Sequence, residues 1–330
     1  MKKALIPAAV MLTLAGAAQA QVAVYGLIDL SYGKNDIYPG IEAVNDGKAS
    51  FYSGGDGNHG NSTSRFGIKG SMDVGSGYKA NFKLESAGID STGNVGTPFF
   101  ARQAWAGLSG SFGEIRAGRQ DSVAFQTMIG FDANGAANAA SAWGNAGVGP
   151  WAPGRQIGVG QYISPNMGGV TVMASLQVEG DAMAQAGGTT GKANAGLGVT
   201  YAAGPVAAAV AYQGKTVKAG EDFMSVAGSY DFGAAKVALT YTDGGDVAKG
   251  GSGAGYGLSI SAPVGGFTVG LLYGENSDTD AKATEVFINR EVLKGTYAYV
   301  DFGQAKNAPG STSTAGKTKS AYAAGMIFTF

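Results

Sequence analysis

The side chains best suited to act on a solute are basic, and they recur at alternate positions of neighbouring stretches. Arg65 and Lys69 share one parity of the stretch 64–73, and Lys79 and Lys83 share one parity of the stretch 78–85. Guanidinium and ammonium groups bind anions or set the electric field along a path for ions. The basic candidates, of which the last two are alternatives to each other, are Arg65, Lys69, Lys79, Lys83, Arg102, Arg116, Arg119 and Arg155.

Catalytic chemistry has few candidate residues in this chain. There is no Cys and a single His, His59, which lies in the flexible context Gly-Asn-His-Gly-Asn. A Ser-His hydrolase needs its histidine beside a serine and an orienting acid, and a metal site needs further ligands. His59 has neither in its surroundings, so the sequence predicts no enzyme, no metal and no cofactor.

The basic residues alternate with apolar ones in a period of two, which is typical of β-strands. In the stretch 64–73, Phe66 and Ile68 lie opposite Arg65 and Lys69. A charged side chain that faces lipid near the midplane costs about 2 to 4 kcal/mol, so in a membrane the basic side must face inward. After residue 20 no stretch holds about 18 consecutive apolar residues, which excludes a helical membrane protein and leaves a closed barrel.

Sixteen stretches alternate in this way. They predict an all-β fold, a transmembrane antiparallel up-and-down β-barrel of 16 strands. The predicted strands are 22–32, 64–73, 78–85, 100–109, 112–119, 156–164, 169–178, 193–202, 206–213, 223–231, 235–242, 254–262, 267–274, 283–289, 292–301 and 320–330.

The links between these strands alternate in length, short after every even-numbered strand and longer and polar after the odd-numbered ones. Short periplasmic turns on one rim and long external loops on the other are typical of an outer-membrane barrel. A soluble sandwich has no reason to sort its loops in this way. The predicted turns are 74–77, 110–111, 165–168, 203–205, 232–234, 263–266 and 290–291.

The first 20 residues have the features of a secretory signal peptide. Lys2 and Lys3 precede an apolar run, and residues 18–20 match the small-x-small pattern before a cleavage site. Cleavage would leave residues 21–330 as a single barrel domain with 21 basic and 24 acidic residues, a formal charge of −3. This charge predicts no nucleic-acid partner.

The last stretch puts Tyr322, Phe328 and Phe330 on one apolar face. A terminal apolar strand invites aggregation unless its edge is paired, so we expect it to close the barrel against Val22–Tyr32. Aromatic residues near the strand ends predict two girdles at the level of the lipid headgroups, with Tyr299 in the outer one.

Five stretches carry a family resemblance, and they are Val24–Asp29, Ser64–Gly70, Arg102–Leu108, Phe112–Arg119 and Tyr162–Asn166. They resemble the general porins of Gram-negative bacteria, especially the neisserial and β-proteobacterial branch, over the whole mature chain. The resemblance implies a sixteen-stranded barrel, three barrels per functional unit, and passive diffusion of small hydrophilic solutes. It also implies that Phe330, together with Phe328 and Tyr322 of the same face, forms the signal for outer-membrane insertion, and that Arg65 and Arg102 line the wall at a constriction. The chain departs from the family's Ser-Lys-Arg-Thr-like turn at residues 289–291.

The longest connection, 120–155, is the candidate constriction loop. It is rich in Gly, Ala and Asn, and up to Gly154 only Asp121 and Asp132 are charged, too little for an evidently solvated tail. A loop of this length in a compact protein is usually functional or disordered. The resemblance implies that this third external loop folds into the lumen.

These features predict an outer-membrane porin for ions and small hydrophilic solutes, with mild anion preference because inward basic residues outnumber acidic ones. A different interpretation is that the basic residues only form salt bridges with Asp29, Asp73 and Glu85. The same residues would also suit a channel with a solute-binding site at the constriction and, more remotely, an outer-membrane enzyme or an adhesin. The expected partners are two further copies in a homotrimer, outer-membrane lipid and lipopolysaccharide, the barrel-assembly machinery, and small ions and solutes.

Overall fold

The structure, a computed structural model, describes residues 21–37, 48–53, 60–86, 88–90, 93–135, 138–149, 154–177, 193–215, 221–309 and 316–330. The predicted signal peptide and His59 lie outside the described residues. Six residues of the predicted constriction loop, 136–137 and 150–153, lie outside them as well.

The described residues form one antiparallel sheet of 17 strands. The strands are β1 (Gln21–Asn35), β2 (Ser50–Ser53), β3 (Arg65–Gly75), β4 (Tyr78–Glu85), β5 (Gln103–Gly110), β6 (Gly113–Asp121), β7 (Arg155–Ile163), β8 (Val170–Gln177), β9 (Asn194–Ala203), β10 (Val206–Gln213), β11 (Phe223–Asp231), β12 (Lys236–Asp243), β13 (Ala254–Val264), β14 (Phe267–Asn276), β15 (Ala281–Leu293), β16 (Thr296–Lys306) and β17 (Thr318–Thr329). Sixteen of them, β1 and β3–β17, form a closed barrel, which confirms the predicted fold. The short β2 pairs with β1 in the first long loop and was not predicted.

The barrel closes at β1, which is long enough to pair with a different strand along each half. Gln21–Leu27 pair with β3, and Leu27–Asn35 pair with β17. Beyond the last strand residue, the amide of Phe330 donates to the Gly26 carbonyl at 3.2 Å and the Gly26 amide donates back at 3.0 Å. The prediction that the C-terminal stretch closes the barrel is therefore confirmed, and its backbone edge is paired.

Two predicted turns are displaced. Arg290 and Glu291 pair with Ala298 and Tyr297 within β15 and β16, so the turn predicted there is wrong. The chain turns at residues 294–295 instead, where Gly295 takes a left-handed φ of 73° that a glycine adopts without steric cost. The turn predicted at 110–111 lies one residue later, between β5 and β6.

The two faces of the barrel wall differ as predicted. Large apolar side chains are exposed on one face, among them Tyr322, Phe328 and Phe330 of the C-terminal stretch. Tyr299 was predicted in this apolar set, and that prediction is wrong: its side chain is 4% exposed. It shares the parity of Asp301, and its hydroxyl donates to Asp29 Oδ1 at 2.6 Å. A buried phenol needs such an acceptor, and the polar face supplies it.

The described residues 122–135 and 138–149, called here the helical segment, follow the end of β6 and pack against the polar face of the wall. The segment contains helix α1 (Val123–Met128), a 3-10 turn (Ile129–Phe131) and helix α2 (Ala142–Ala146). Ser122 and Ser141 cap the two helices, each side chain accepting a backbone N–H of the first turn. Helix α1 lies against β9–β11 and α2 against β14–β16. Within the described residues, every helix is shorter than an apolar helical membrane span requires.

Candidate functional site

The predicted basic residues converge on neighbouring strands. Lys69 of β3 lies directly opposite Lys83 of β4, and Lys83 lies opposite Trp105 of β5. The pleat puts alternate residues of each strand on the same face, so the basic positions two residues apart add to the same surface. We call this surface the basic wall, formed by Arg65, Lys69, Lys79, Lys83, Arg102, Arg116 and Arg155.

One buried carboxylate organises the centre of the basic wall. Glu85 is 4% exposed, and its Oε1 accepts a charge-assisted hydrogen bond from Arg102 Nε at 2.6 Å. Its Oε2 lies 3.4 Å from Lys83 Nζ and accepts the Tyr25 hydroxyl at 2.6 Å. Tyr25 was not predicted as a site residue, although its parity on β1 could have suggested it. Glu85 thus compensates two cations.

The other cations of the wall have less compensation. In the part of the chain that the structure describes, Arg65, Lys69 and Lys79 form no ion pair with a carboxylate. Lys69 Nζ lies 5.0 Å from the centroid of the Tyr25 ring, and Lys83 Nζ lies 5.7 Å from it. Lys69 and Lys79 are exposed and Arg65 is half-buried, so their charges remain close to solvent.

The interpretation that the basic residues are neutralised by acidic neighbours therefore holds for one of its three carboxylates. Glu85 pairs with basic wall residues. Asp29 accepts from Tyr299 and from the Ser62 amide instead. The side chain of Asp73 accepts from the amide of Gly75, the last residue of β3. The wall keeps an excess of positive charge.

Arg116 links the basic wall to the helical segment. Its guanidinium donates to Gln161 Oε1 on β7 at 2.6 and 3.0 Å, and to Gln126 Oε1 on α1 at 2.6 Å. It also lies 4.9 Å from the centroid of the Trp105 ring and 3.9 Å from the Glu114 carboxylate. A guanidinium group is planar and has five N–H donors, so Arg116 can bond to β7 and to α1 at the same time.

Arg155 and Asp121 form the second link, where the chain leaves β6 and returns in β7. The two residues are paired in register, and Arg155 Nε lies 3.1 Å from Asp121 Oδ1. Arg119 differs from both. It pairs with Ala104, whose parity is opposite to that of Trp105, and its Nε donates to the Ala101 carbonyl at 2.5 Å. We therefore leave Arg119 out of the basic wall.

Glycines of the wall strands make room for the helical segment. A Cβ added at Gly257 would lie 2.5 Å from Trp143 Nε1, and one at Gly274 would lie 2.8 Å from Ala146 Cβ. One at Gly303 would lie 2.8 Å from Ala140 Cα. Real Cβ contacts are longer, so only glycine permits this approach at these positions. The sequence shows the glycine richness but not which glycines face the segment.

Buried carboxylates on the side of β15 and β16 anchor the helical segment. Glu285 is fully buried and accepts Asn134 Nδ2 at 2.6 Å and the Ala142 amide, at the start of α2, at 2.9 Å. Asp301 is 1% exposed and accepts Asn134 Nδ2 at 3.2 Å and Asn61 Nδ2 at 3.0 Å. We call Asp29, Glu285 and Asp301 the acidic wall.

Asp29, on β1, extends this wall to the first long loop. It accepts the Tyr299 hydroxyl and the Ser62 amide, the latter at 2.7 Å, and its own amide donates to Ser64 Oγ at 2.9 Å. Neither Glu285 nor Asp301 was among the predicted site residues. The signal that could have found them was their charge at positions whose parity faces away from lipid.

Asp132, predicted with Asp121 in the constriction, lies near the acidic wall and not near the basic one. It is buried, and its Oδ1 accepts the Asn134 amide at 3.0 Å. Burial raises the pKa of the Asp132 carboxyl, because a charged carboxylate is poorly solvated there. Asp132 and Lys236 of β12 both line a cavity of about 230 Å³.

Comparison with known proteins agrees with this architecture. A family model described as Gram-negative porin matches residues 7–310. The outer membrane porin protein 32 of Delftia acidovorans is 31% identical over 359 residues, covering 99% of this chain and 95% of that protein. An outer membrane porin protein of Bordetella pertussis is 31% identical over 305 residues, covering 80% of this chain and 74% of that one. Among solved structures, an anion-selective porin from Comamonas acidovorans superposes with a TM-score of 0.69 at 25% identity, over 94% of this chain and 100% of that chain.

Proposed function

This chain belongs to the Gram-negative porin family and forms a channel in the outer membrane, and we propose that its narrowest part lies between the basic wall and the helical segment. The polar face of the barrel is then the lumen. Charged side chains on lipid would cost about 2 to 4 kcal/mol each near the midplane, whereas a water-filled lumen hydrates them. The third loop, 120–155, would act as the constriction loop, and passage would be passive diffusion without bond chemistry.

We propose a mild preference for anions. The observation that supports this preference is that the charged groups of the two walls differ in burial and in their bonding partners. Arg65, Lys69 and Lys79 have no carboxylate partner among the described residues, while the carboxylates of the acidic wall are buried and hydrogen-bonded to the loops. Cations near water act on a passing ion through the field of the pore, which is how rings of charged side chains select ions. The similar anion-selective porin supports the same direction.

The test is the reversal potential of the purified protein in a planar bilayer under a gradient of KCl. We expect a sign that corresponds to chloride permeating faster than potassium. Dilute solutions are the sensitive condition, because the Debye length is about 10 Å at 0.1 M and about 3 Å at 1 M. Clear cation selectivity at low salt would contradict the proposal.

We further propose that the working unit is a homotrimer in contact with outer-membrane lipid and lipopolysaccharide. Its apolar outer face and aromatic strand ends fit a lipid environment. Single-channel records should then show three equal conductance steps per insertion. Records with single steps only would argue for independent barrels.

Phe330 is proposed as the signal read by the barrel-assembly machinery. Its side chain is exposed and its backbone exchanges two hydrogen bonds with Gly26, so deletion and substitution separate the two contributions. We expect Phe330→Ala, which keeps the backbone bonds, to lower the amount of protein in the outer membrane while the conductance of inserted channels stays unchanged. Phe302→Ala, an exposed aromatic on the neighbouring strand β16 and outside the predicted signal, is the control. Normal surface levels of Phe330→Ala would remove the proposed role.

A further inference from the structure

A cavity of about 570 Å³ lies against the basic wall and has no role in the function described so far. Its volume falls within the range of about 300 to 1,000 Å³ typical of small-molecule pockets. Residues of five strands surround it. The side chains that the argument uses are Lys69, Ser71, Asn81, Lys83, Trp105 and Glu114.

The cavity follows from the cross-strand pairing. Small Ala23 lies directly opposite Lys69, and Ser71 lies opposite Asn81. Long side chains at Lys69, Lys83 and Trp105 therefore stand beside short ones, which leaves a depression in the polar face. The depression is built by consecutive strands of one sheet, so its shape does not depend on a long loop.

The charges of the cavity favour an anion. Lys69 and Lys83 lie directly opposite each other, and like charges at opposed positions of paired strands are unfavourable. Lys83 shares Glu85 with Arg102, whereas Lys69 forms no ion pair with any described carboxylate. A carboxylate held between the two ammonium groups would accept charge-assisted hydrogen bonds and relieve the repulsion.

Other side chains restrict the ligand. The Glu114 carboxylate lies on the lining, so a second negative charge would be repelled. Trp105 offers an apolar ring whose N–H already donates to Gln103 Oε1 at 2.9 Å. Arg116 lies over the ring but not on the cavity lining, so the part of the ring that the cavity meets is an apolar stacking surface without an unpaired donor. Asn81 donates to Ser109 and to Glu114, which fixes the polar side of the cavity.

We propose that this cavity is a weak binding site for small aromatic monocarboxylates, with the carboxylate between Lys69 and Lys83 and the ring against Trp105. The inference rests on the proposed function, since the ligand reaches the site through the channel. Binding must be weak, because conduction requires that a solute leave as readily as it enters.

The test uses purified full-length channels in a planar bilayer with benzoate and acetate as probes of chloride current. Benzoate should reduce the chloride current saturably in the millimolar range, and acetate should do so less. Lys69→Gln should raise the half-blocking benzoate concentration about tenfold, the usual effect of losing a hydrogen bond to a charged group. Lys69→Arg should restore block.

Two matched variants sharpen the result. Lys79→Gln removes the same charge from the neighbouring strand, outside the cavity lining, and should raise the half-blocking benzoate concentration far less than Lys69→Gln does, since it weakens only the general field of the wall. Trp105→Leu should reduce the difference between benzoate and acetate while acetate block stays the same. Strand content of each variant is checked by circular dichroism.

Failure of this inference is distinguishable from failure of the proposed function. A wild-type channel that prefers chloride but shows no saturable benzoate block would overturn the binding site alone. Equal half-blocking concentrations in Lys69→Gln and Lys79→Gln would do the same. A cation-selective wild-type channel would overturn both.

Discussion

The basic wall and the acidic wall use charge for different purposes. On the basic wall, Lys69 and Lys79 are exposed and form no ion pair with a described carboxylate. On the acidic wall, Glu285 and Asp301 are buried, and their oxygens accept from Asn134, Asn61 and a helix amide. The difference teaches that the number of charges on a pore wall does not reveal which of them act on a solute.

The physical reason is solvation. A charge near water is inexpensive to maintain, and its field extends to passing ions. A carboxylate without water needs donors from the protein, and the loss of one partner leaves the other unsatisfied. The acidic wall therefore bonds to the loops, and we propose that the basic wall sets the field. Four substitutions separate these roles, in order of decreasing expected effect.

Glu285→Ala should have the largest effect. It leaves the Asn134 side chain and the Ala142 amide buried without this acceptor, at about 1 to 3 kcal/mol each. We expect the helical segment to detach, the single-channel conductance to rise, and protease to cleave the segment in an otherwise intact barrel. Glu291→Ala, the same change at the exposed end of the same strand, is the control. Unchanged conductance in Glu285→Ala would mean that the carboxylate does not anchor the segment.

Gly303→Ala tests the same contact from the backbone side. The added Cβ would lie within 2.8 Å of Ala140 Cα, so the segment must shift. We expect a measurable change in conductance and in its noise, with a lower thermal unfolding temperature. Gly228→Ala, where the nearest atom would be 3.9 Å away, should leave both properties as in the wild type. Similar behaviour of the two variants would argue against close packing at Gly303.

Arg102→Glu tests the basic wall. It removes the cation paired with Glu85 and puts a second carboxylate beside it, so the permeability ratio should move several-fold toward cations at 0.1 M salt without loss of the barrel. Lys282→Glu is the control. It makes the same reversal of charge at an exposed position, where Lys282 pairs with Glu275, and should change the permeability ratio far less. If the two variants shift the ratio equally, Arg102 is distant from the narrow part.

Lys79→Gln should have the smallest effect. The residue is exposed, forms no ion pair with a described carboxylate, and lies toward the end of its strand next to the turn. We expect a slight decrease in chloride preference, measured by reversal potential, with no change in stability. A decrease as large as that of Arg102→Glu would move the selective region toward the periplasmic end of the pore.

The sequence alone determined the barrel, because alternation, loop lengths and the chain end describe local and periodic properties. The sequence also predicts that Arg65 and Lys69 face the inside of the barrel, because a charged side chain that faces lipid costs free energy. Alternation is weak around Arg290, so the sequence pattern does not locate the turn at Gly295, which has a left-handed φ. Tyr299 was misassigned because a tyrosine suits either face of a strand.

Only the tertiary structure decided which charges are free and which are bound. Asn134 meets Glu285 and Asp301 across more than 150 positions of sequence, and no periodicity relates it to them. Likewise, Glu85 joins Arg102 and Tyr25 through strand pairing rather than sequence spacing. Local sequence specifies strands, whereas partnerships between buried polar groups depend on register and on the contacts of the helical segment with the strands.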